Sequence, residues 1–303
     1  MTIHTKDNQS AINTIEDNQA IEEIRYQLSE IDLCGLKKGH ECQPVVLCLH
    51  GWLDNAASFI PLMTELNEHQ VIAIDWPGHG HSAHRGHDAH YHFIDYVYDL
   101  LLLFEFNHWQ SVDIVAHSMG GMIASAFAAA FPEKVKSLTL VDSIGFISAK
   151  SEETTEQLRK GMLSRLKLKT KRKPIHTDLE SAITARRSVS DLSYQDAKLI
   201  VERGSLVVGK GITWRADSRL RNTSPYRLTF SQAKQFIKDI TTPVQLIYGD
   251  KGIELVELGL EHYAPLFKMF SAHKLSGGHH IPLEQAKKTA IIVESFLQNH
   301  NDN

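Results

Sequence analysis

Cysteine is scarce in this chain: Cys34, Cys42 and Cys48 are the only three in 303 residues. An odd number bunched near the start makes no disulfide framework and points to a reducing compartment. Cys48 falls in an apolar run and is expected to pack rather than react. Long apolar runs are missing too, with nothing approaching the roughly 20 residues that cross a bilayer. The opening stretch, "MTIHTKDNQSAINTIEDNQ", is polar and lacks the apolar segment of a secretory signal. Residues 1–20 are therefore read as a loosely ordered tail. An excess of one charge is also absent, since 32 Lys and Arg face 36 Asp and Glu, a formal net charge of -4. No global field recommends nucleic acid or a membrane surface as a partner. The one basic run, residues 165–173, has no interleaved aromatics and reads as a solvated face. The expectation is a cytoplasmic protein acting on a small molecule, with no signal of oligomeric state.

What is present is an ordinary globular balance, 42% hydrophobic and 22% charged, long enough for a large α/β core. Two alternating segments, 24–28 and 31–36, suit antiparallel edge strands. A short continuous apolar run at 45–49 suits a strand buried on both faces, and further strands are read at 71–74, 112–115, 137–141 and 244–248. Helical stretches at 59–66, 94–106 and 120–131 alternate with them, and a last helix spans 282–298. Alternation of this kind builds a mostly parallel sheet with helices on both faces. Between about 145 and 225 the rhythm breaks into helix-like segments at 152–168, 179–187 and 193–202. The run 206–208 is the first there to resemble a buried strand. The division is 21–144 with 226–303 as the core and 145–225 as a helical cap over the carboxyl ends of the strands, where open α/β sheets bind ligands.

One constellation carries chemistry. "VAHSMGG", residues 115–121, has the spacing small-x-Ser-x-Gly at a strand-to-helix junction. A serine on so tight a turn is strained, with its hydroxyl exposed above the sheet, and Ala116 and Gly120 must be small for helix to meet strand. The bland alternative is a helix N-cap. A serine also needs a base and an oxyanion hole. The turn His50-Gly51-Trp52 offers the Trp52 N–H, to be paired with the N–H of Met119. "GGHHIPLE", residues 277–284, offers a histidine before the last helix.

"LCLHGWLDNAASF", "IDWPGHGHS", "VAHSMGGMIA" and "GGHHIPLE", in this order, resemble the α/β-hydrolase superfamily. "HGWLDNA" and "WRADSRLRNTSPYRLT" (214–229) resemble its serine hydrolase-like branch. The resemblance implies an α/β-hydrolase fold and a cofactor-free serine hydrolase with Ser118 as nucleophile, acting on a small ester as a carboxylic-ester hydrolase. The histidine directly after Gly-Gly, His279 rather than His280, would be its base. The acid departs from the commoner pattern. Where many members carry Gly-x-x-Asp, this chain reads Gly249-Asp250-Lys251-Gly252. The other known location is the end of the preceding strand, Asp142. Asp142 is favoured and Asp250 kept as the alternative, the carboxylate being needed to fix the imidazole tautomer.

Three rival readings remain open. The missing acid at 252 suits a non-catalytic ligand-binding protein on the same scaffold. The histidines 79, 81, 84, 87, 90 and 92 tempt a metal site, but such a site needs three or four convergent ligands, and none is expected. Trp214, Arg215, Asp217, Arg219 and Arg221 read first as an ion-pair network pinning the insertion down, and second as an anion clamp.

Overall fold

A computed structural model describes residues 20–168 and 172–301 of the chain. The residues 1–19 of the expected tail, and 169–171 of the basic run, lie outside that description.

Eight strands form the central sheet: β1 (Glu22–Gln27), β2 (Asp32–Lys38), β3 (Val45–Leu49), β4 (Gln70–Ile74), β5 (Val112–His117), β6 (Val135–Val141), β7 (Val244–Gly249) and β8 (Phe270–Leu275). Their spatial order is β1-β2-β4-β3-β5-β6-β7-β8. β1 pairs antiparallel with β2, and β2 antiparallel with β4. Every other pairing is parallel. The parallel strands β3 to β7 are almost wholly buried because helices cover both faces. One face carries α2 (Phe93–Phe106), α3 (Met119–Ala130), α7 (Phe230–Asp239) and α8 (Glu254–Tyr263), packed through side chains such as Leu100, Ile123, Ile237 and Tyr263. The other carries α1 (Ile60–Glu65) and α10 (Ala286–Asn301), packed through Leu62, Val293 and Leu297.

The expected last helix begins with a separate short turn of helix, α9 (Ile281–Glu284), before α10. β8 alternates poorly and is mostly exposed, because it is the sheet's edge. That is why no apolar run marked it.

After β6 the chain leaves the sheet. It forms α4 (Thr154–Leu168), α5 (Leu179–Arg187) and α6 (Tyr194–Gly204), and returns at α7. A two-residue parallel pairing of Leu228–Thr229 with Ser148–Ala149 closes the base of this insertion. The run 206–208 is not a buried strand of the main sheet. It belongs to an antiparallel hairpin, Ser205–Val208 with Gly211–Trp214, and Val207 is exposed. The insertion has its own small core, Ala182, Ile183, Leu192, Ala197, Ile200 and Val201, joined by Leu283 from α9.

Ion pairs tie the insertion to the sheet. Arg203 on α6 donates to both carboxylate oxygens of Asp75, which is fully buried after β4, and pairs with Glu23. Asp217 and Arg219 pair with each other. Arg219 also donates to the carbonyls of Arg85, Gly86 and Ala89, and the Tyr91 hydroxyl donates to Asp217. The dense polar string at 214–221 is largely the pinning network its composition suggested.

Candidate active site

Ser118 stands between β5 and α3 with φ 53° and ψ −118°. A positive φ at a non-glycine residue is strained. Neighbouring hydrogen bonds impose it. The Ser118 N–H donates to Val141 O at 3.1 Å, and Ser118 O accepts from Gly121 N–H at 2.9 Å and from the Ser143 hydroxyl at 2.8 Å. The serine side chain makes no capping hydrogen bond, so the N-cap alternative fails. The small-residue requirement is literal. A Cβ on Gly120 would lie 2.3 Å from Leu49 O, and one on Gly121 would lie 2.7 Å from Ser143 Oγ.

His279, in the loop between β8 and α9, lies against this serine. Its Nε2 is 3.0 Å from Ser118 Oγ, and its Nδ1 is 2.6 Å from Asp142 Oδ2. A carboxylate only accepts, so Nδ1 carries the proton and Nε2 is free to accept from the hydroxyl. Asp142 follows β6, is fully buried, and has φ 44°. Its carboxylate also accepts from the N–H groups of Gly249 and Ile253. A Cβ on Gly252 would fall 2.3 Å from Asp142 Oδ1. The carboxylate from the end of β6 thus fills the space a side chain at 252 would need. Asp250 is turned away. It is exposed, and its Oδ1 accepts from the Gly277 N–H at 2.9 Å, which lowers its pKa below the ordinary carboxylate value.

The turn after β3 packs on the serine: a Cβ on Gly51 would meet Ser118 Cβ at 3.1 Å. His50 holds this turn. Its Nδ1–H donates to Gly51 O at 2.7 Å, and its Nε2 accepts from Trp76 N–H at 3.0 Å. Burial lowers the His50 pKa and keeps the ring neutral. Among the described residues, the N–H groups of Trp52 and Met119 donate to no protein acceptor. The Trp52 indole N–H donates to Leu220 O at 3.0 Å, linking this turn to the insertion.

A second layer of polar groups escaped the sequence reading. His117 Nε2–H donates to His279 O at 2.9 Å. Burial, with two neighbouring histidines, pushes its pKa well down, so it is neutral. Asp191, from the loop between α5 and α6, accepts from the His279 N–H and from His280 Nδ1, both at 2.6 Å. His280 Nε2 lies 3.7 Å from Asp54, which Arg186 of α5 reaches at 2.5 Å. Burial opposes charge on His280, but the Asp191 hydrogen bond and the Asp54 and Asp191 charges outweigh it and raise its pKa. The hydrogen bond from His280 in turn holds Asp191 well below the carboxylate range. His280 lies beside His279, with ring centroids 5.2 Å apart. Nothing in spacing pointed to Asp191.

The histidine-rich loop does structural work. His79 is buried against His50, with ring centroids 5.1 Å apart. His84 Nδ1 lies 3.3 Å from Asp217. Among the described residues no group of three or more His, Cys, Asp or Glu could hold a metal ion.

This fold and this arrangement define a class. The chain belongs to the family with the α/β hydrolase fold, whose model matches residues 44–286. Within that class it is similar to a serine hydrolase-like protein of Danio rerio, 28% identical over 291 residues that cover 92% of this chain and 89% of that one. It is also similar to the solved structure of a hypothetical protein of Pseudomonas aeruginosa PAO1, 36% identical with a TM-score of 0.88, covering 91% of this chain and 99% of that one. A thioesterase domain from the curacin biosynthetic pathway is 27% identical with a TM-score of 0.80, at the same coverage of both chains. No helix among the described residues is long and apolar enough to cross a membrane.

Proposed function

We propose that the protein is a serine hydrolase that cleaves a small ester or thioester through an acyl-enzyme on Ser118. The observation that carries this reading is the unbroken chain Ser118–His279–Asp142, at 3.0 and 2.6 Å. His279 Nε2 takes the hydroxyl proton as Ser118 Oγ attacks the carbonyl carbon. Asp142 holds the ring in the right tautomer and stabilises the imidazolium. The amides of Trp52 and Met119 receive the developing oxyanion, aided by the N-terminal dipole of α3. The imidazolium returns its proton to the leaving group, and a water then attacks the acyl-enzyme with His279 again as base. The thioesterase domain among the structural relatives supports including thioesters. The insertion would act as the cap over the site and shape its pocket. The feature that favoured a non-catalytic binder, the missing acid at 252, loses its force because Asp142 fills that space.

The test is intact mass after exposure to a fluorophosphonate, wild type beside Ser118→Ala. One adduct on wild type and none on the variant is the expected outcome. Ser118→Ala should also cost at least about 10³-fold in kcat on any ester the wild type turns over. A wild-type protein that takes no adduct, or a variant that keeps its turnover, rejects the reading.

A further inference from the structure

Beside the turn that follows β3, the insertion encloses a cavity of about 400 Å³. Its walls include the apolar side chains of Leu53, Ile200 and Trp214. Its charged lining is lopsided, with Arg172, Lys173, Arg186 and Arg221 against Asp54 and Asp217. Both carboxylates are already engaged. Asp54 accepts from Arg186 at 2.5 Å, and Asp217 accepts from Arg219 at 2.6 Å and from the Tyr91 hydroxyl at 2.9 Å. Lys173 is tied to the carbonyls of Trp214 and Arg215. Among the described residues, Arg172 and Arg221 form no ion pair. Two further groups on lining residues, Arg186 Nε and His176 Nε2, are buried with no hydrogen-bond partner among the described residues. A buried donor without an acceptor, such as Arg186 Nε, is costly, and an anion supplies acceptors to several donors at once.

The cavity adjoins the turn that bears Trp52, the residue whose amide is proposed for the oxyanion. Leu53 in its wall directly follows Trp52. The Arg221 guanidinium lies 5.8 Å from the centroid of the Trp52 ring. A group bound here would belong to the part of a substrate that extends away from the carbonyl.

We propose that this cavity is an anion subsite and that the preferred substrate carries a carboxylate or phosphate remote from its reacting carbonyl. The inference rests on the hydrolase reading above for its link to turnover, but the binding it predicts is measurable without it. Guanidinium groups match both oxyanions with paired donors. The apolar walls take the intervening chain, and a volume of this size is ordinary for a small-molecule site.

The experiment uses calorimetric titration of the full-length Ser118→Ala protein with monoethyl adipate, hexyl phosphate and ethyl hexanoate. At least one of the two anions should bind about tenfold or more tightly than the neutral ester, as expected for charge-assisted hydrogen bonds. That advantage should shrink in high salt. The tighter of the two anions identifies the preferred headgroup. Arg221→Gln and Arg172→Gln, both at exposed positions, should remove the preference and leave ethyl hexanoate binding unchanged. Equal binding of all three probes, binding of none, or an undiminished preference in both variants overturns the proposal. The two readings fail separately. A wild-type protein that takes the fluorophosphonate adduct yet shows no anion preference loses only the subsite. One that takes no adduct yet prefers the anions loses only the hydrolase.

Discussion

At Ser118 the backbone is held at φ 53°, a conformation that costs on the order of 1–3 kcal/mol and persists because its surroundings over-determine it. The same is true of Asp142 at φ 44°, where the N–H donates to Ile247 O and the carboxylate accepts from two amides and an imidazole. The proposed acid is therefore tied to β7 as well as to His279. Asp142→Asn should lower kcat by roughly 10³- to 10⁴-fold, because an amide no longer enforces the Nδ1–H tautomer. Asp250→Asn should change it by no more than a few fold. Steady-state kinetics on one ester compares them, and the reverse order would move the acid to the loop after β7. Gly252 gives a second check. A methyl group there meets the Asp142 carboxylate at 2.3 Å and must push it aside. Gly252→Ala should cost on the order of 10²-fold in kcat, as displacements near 1 Å do. Unchanged kinetics would show that the carboxylate position is not critical.

At the scale of elements, the loop carrying His279 is held from two sides. β5 reaches it through His117, and the insertion reaches it through Asp191. Asp191→Ala frees the His279 N–H and the His280 ring together. It should lower kcat by about tenfold or more with little change in KM, since it loosens the base rather than a substrate contact. The pair also has a pH signature. His280 has a raised pKa in the fold, facing Asp191, Asp54, Arg186 and the His117 ring. Its contribution to stability is complete below the ordinary histidine value of about 6.5 and is lost as pH rises through the raised folded value. Asp191, with its lowered pKa, contributes above the ordinary carboxylate value of about 3.9 and loses that contribution as pH falls. Wild type should therefore lose thermal stability as pH rises above about 6.5 more steeply than Asp191→Asn does. Parallel Tm curves would exclude the pair from the stability balance.

Across the whole molecule, the insertion is fastened by buried charge as well as by the apolar contacts of Leu283 and Phe146. Asp75 is fully buried and accepts from Ala56 N–H, His81 N–H and Arg203. Arg203→Ala leaves that carboxylate without its counter-charge and should cost about 3 kcal/mol, measured by urea unfolding. A loss below about 0.5 kcal/mol would mean that the amides alone satisfy it.

The sheet from β3 to β7 was legible in the sequence because strands covered on both faces are mostly apolar, and the polar residues within them, Asp113, Ser137, Thr139 and Gln245, are buried and hydrogen-bonded to one another across strands. The turn that carries Ser118 was legible for a packing reason too. Close approach of α3 to β3 and β5 admits only small residues at 116 and 120, whatever the rest of the chain does. Edge strand β8 was silent because its faces are open to water. The run 206–208 misled because β-branched residues suit an exposed hairpin as well as a buried strand. Motif spacing alone could name both Asp142 and Asp250 as the partner of His279. Which carboxylate faces the imidazole depends on how the loop after β7 bends, and that bend is set by contacts with β6 and β8. Asp191 and the charged cavity lay further out of reach. Asp191 lies 88 and 89 residues from His279 and His280, and the cavity's Asp54 lies 132 residues from Arg186, so only the packing of the insertion onto the sheet brings these groups together.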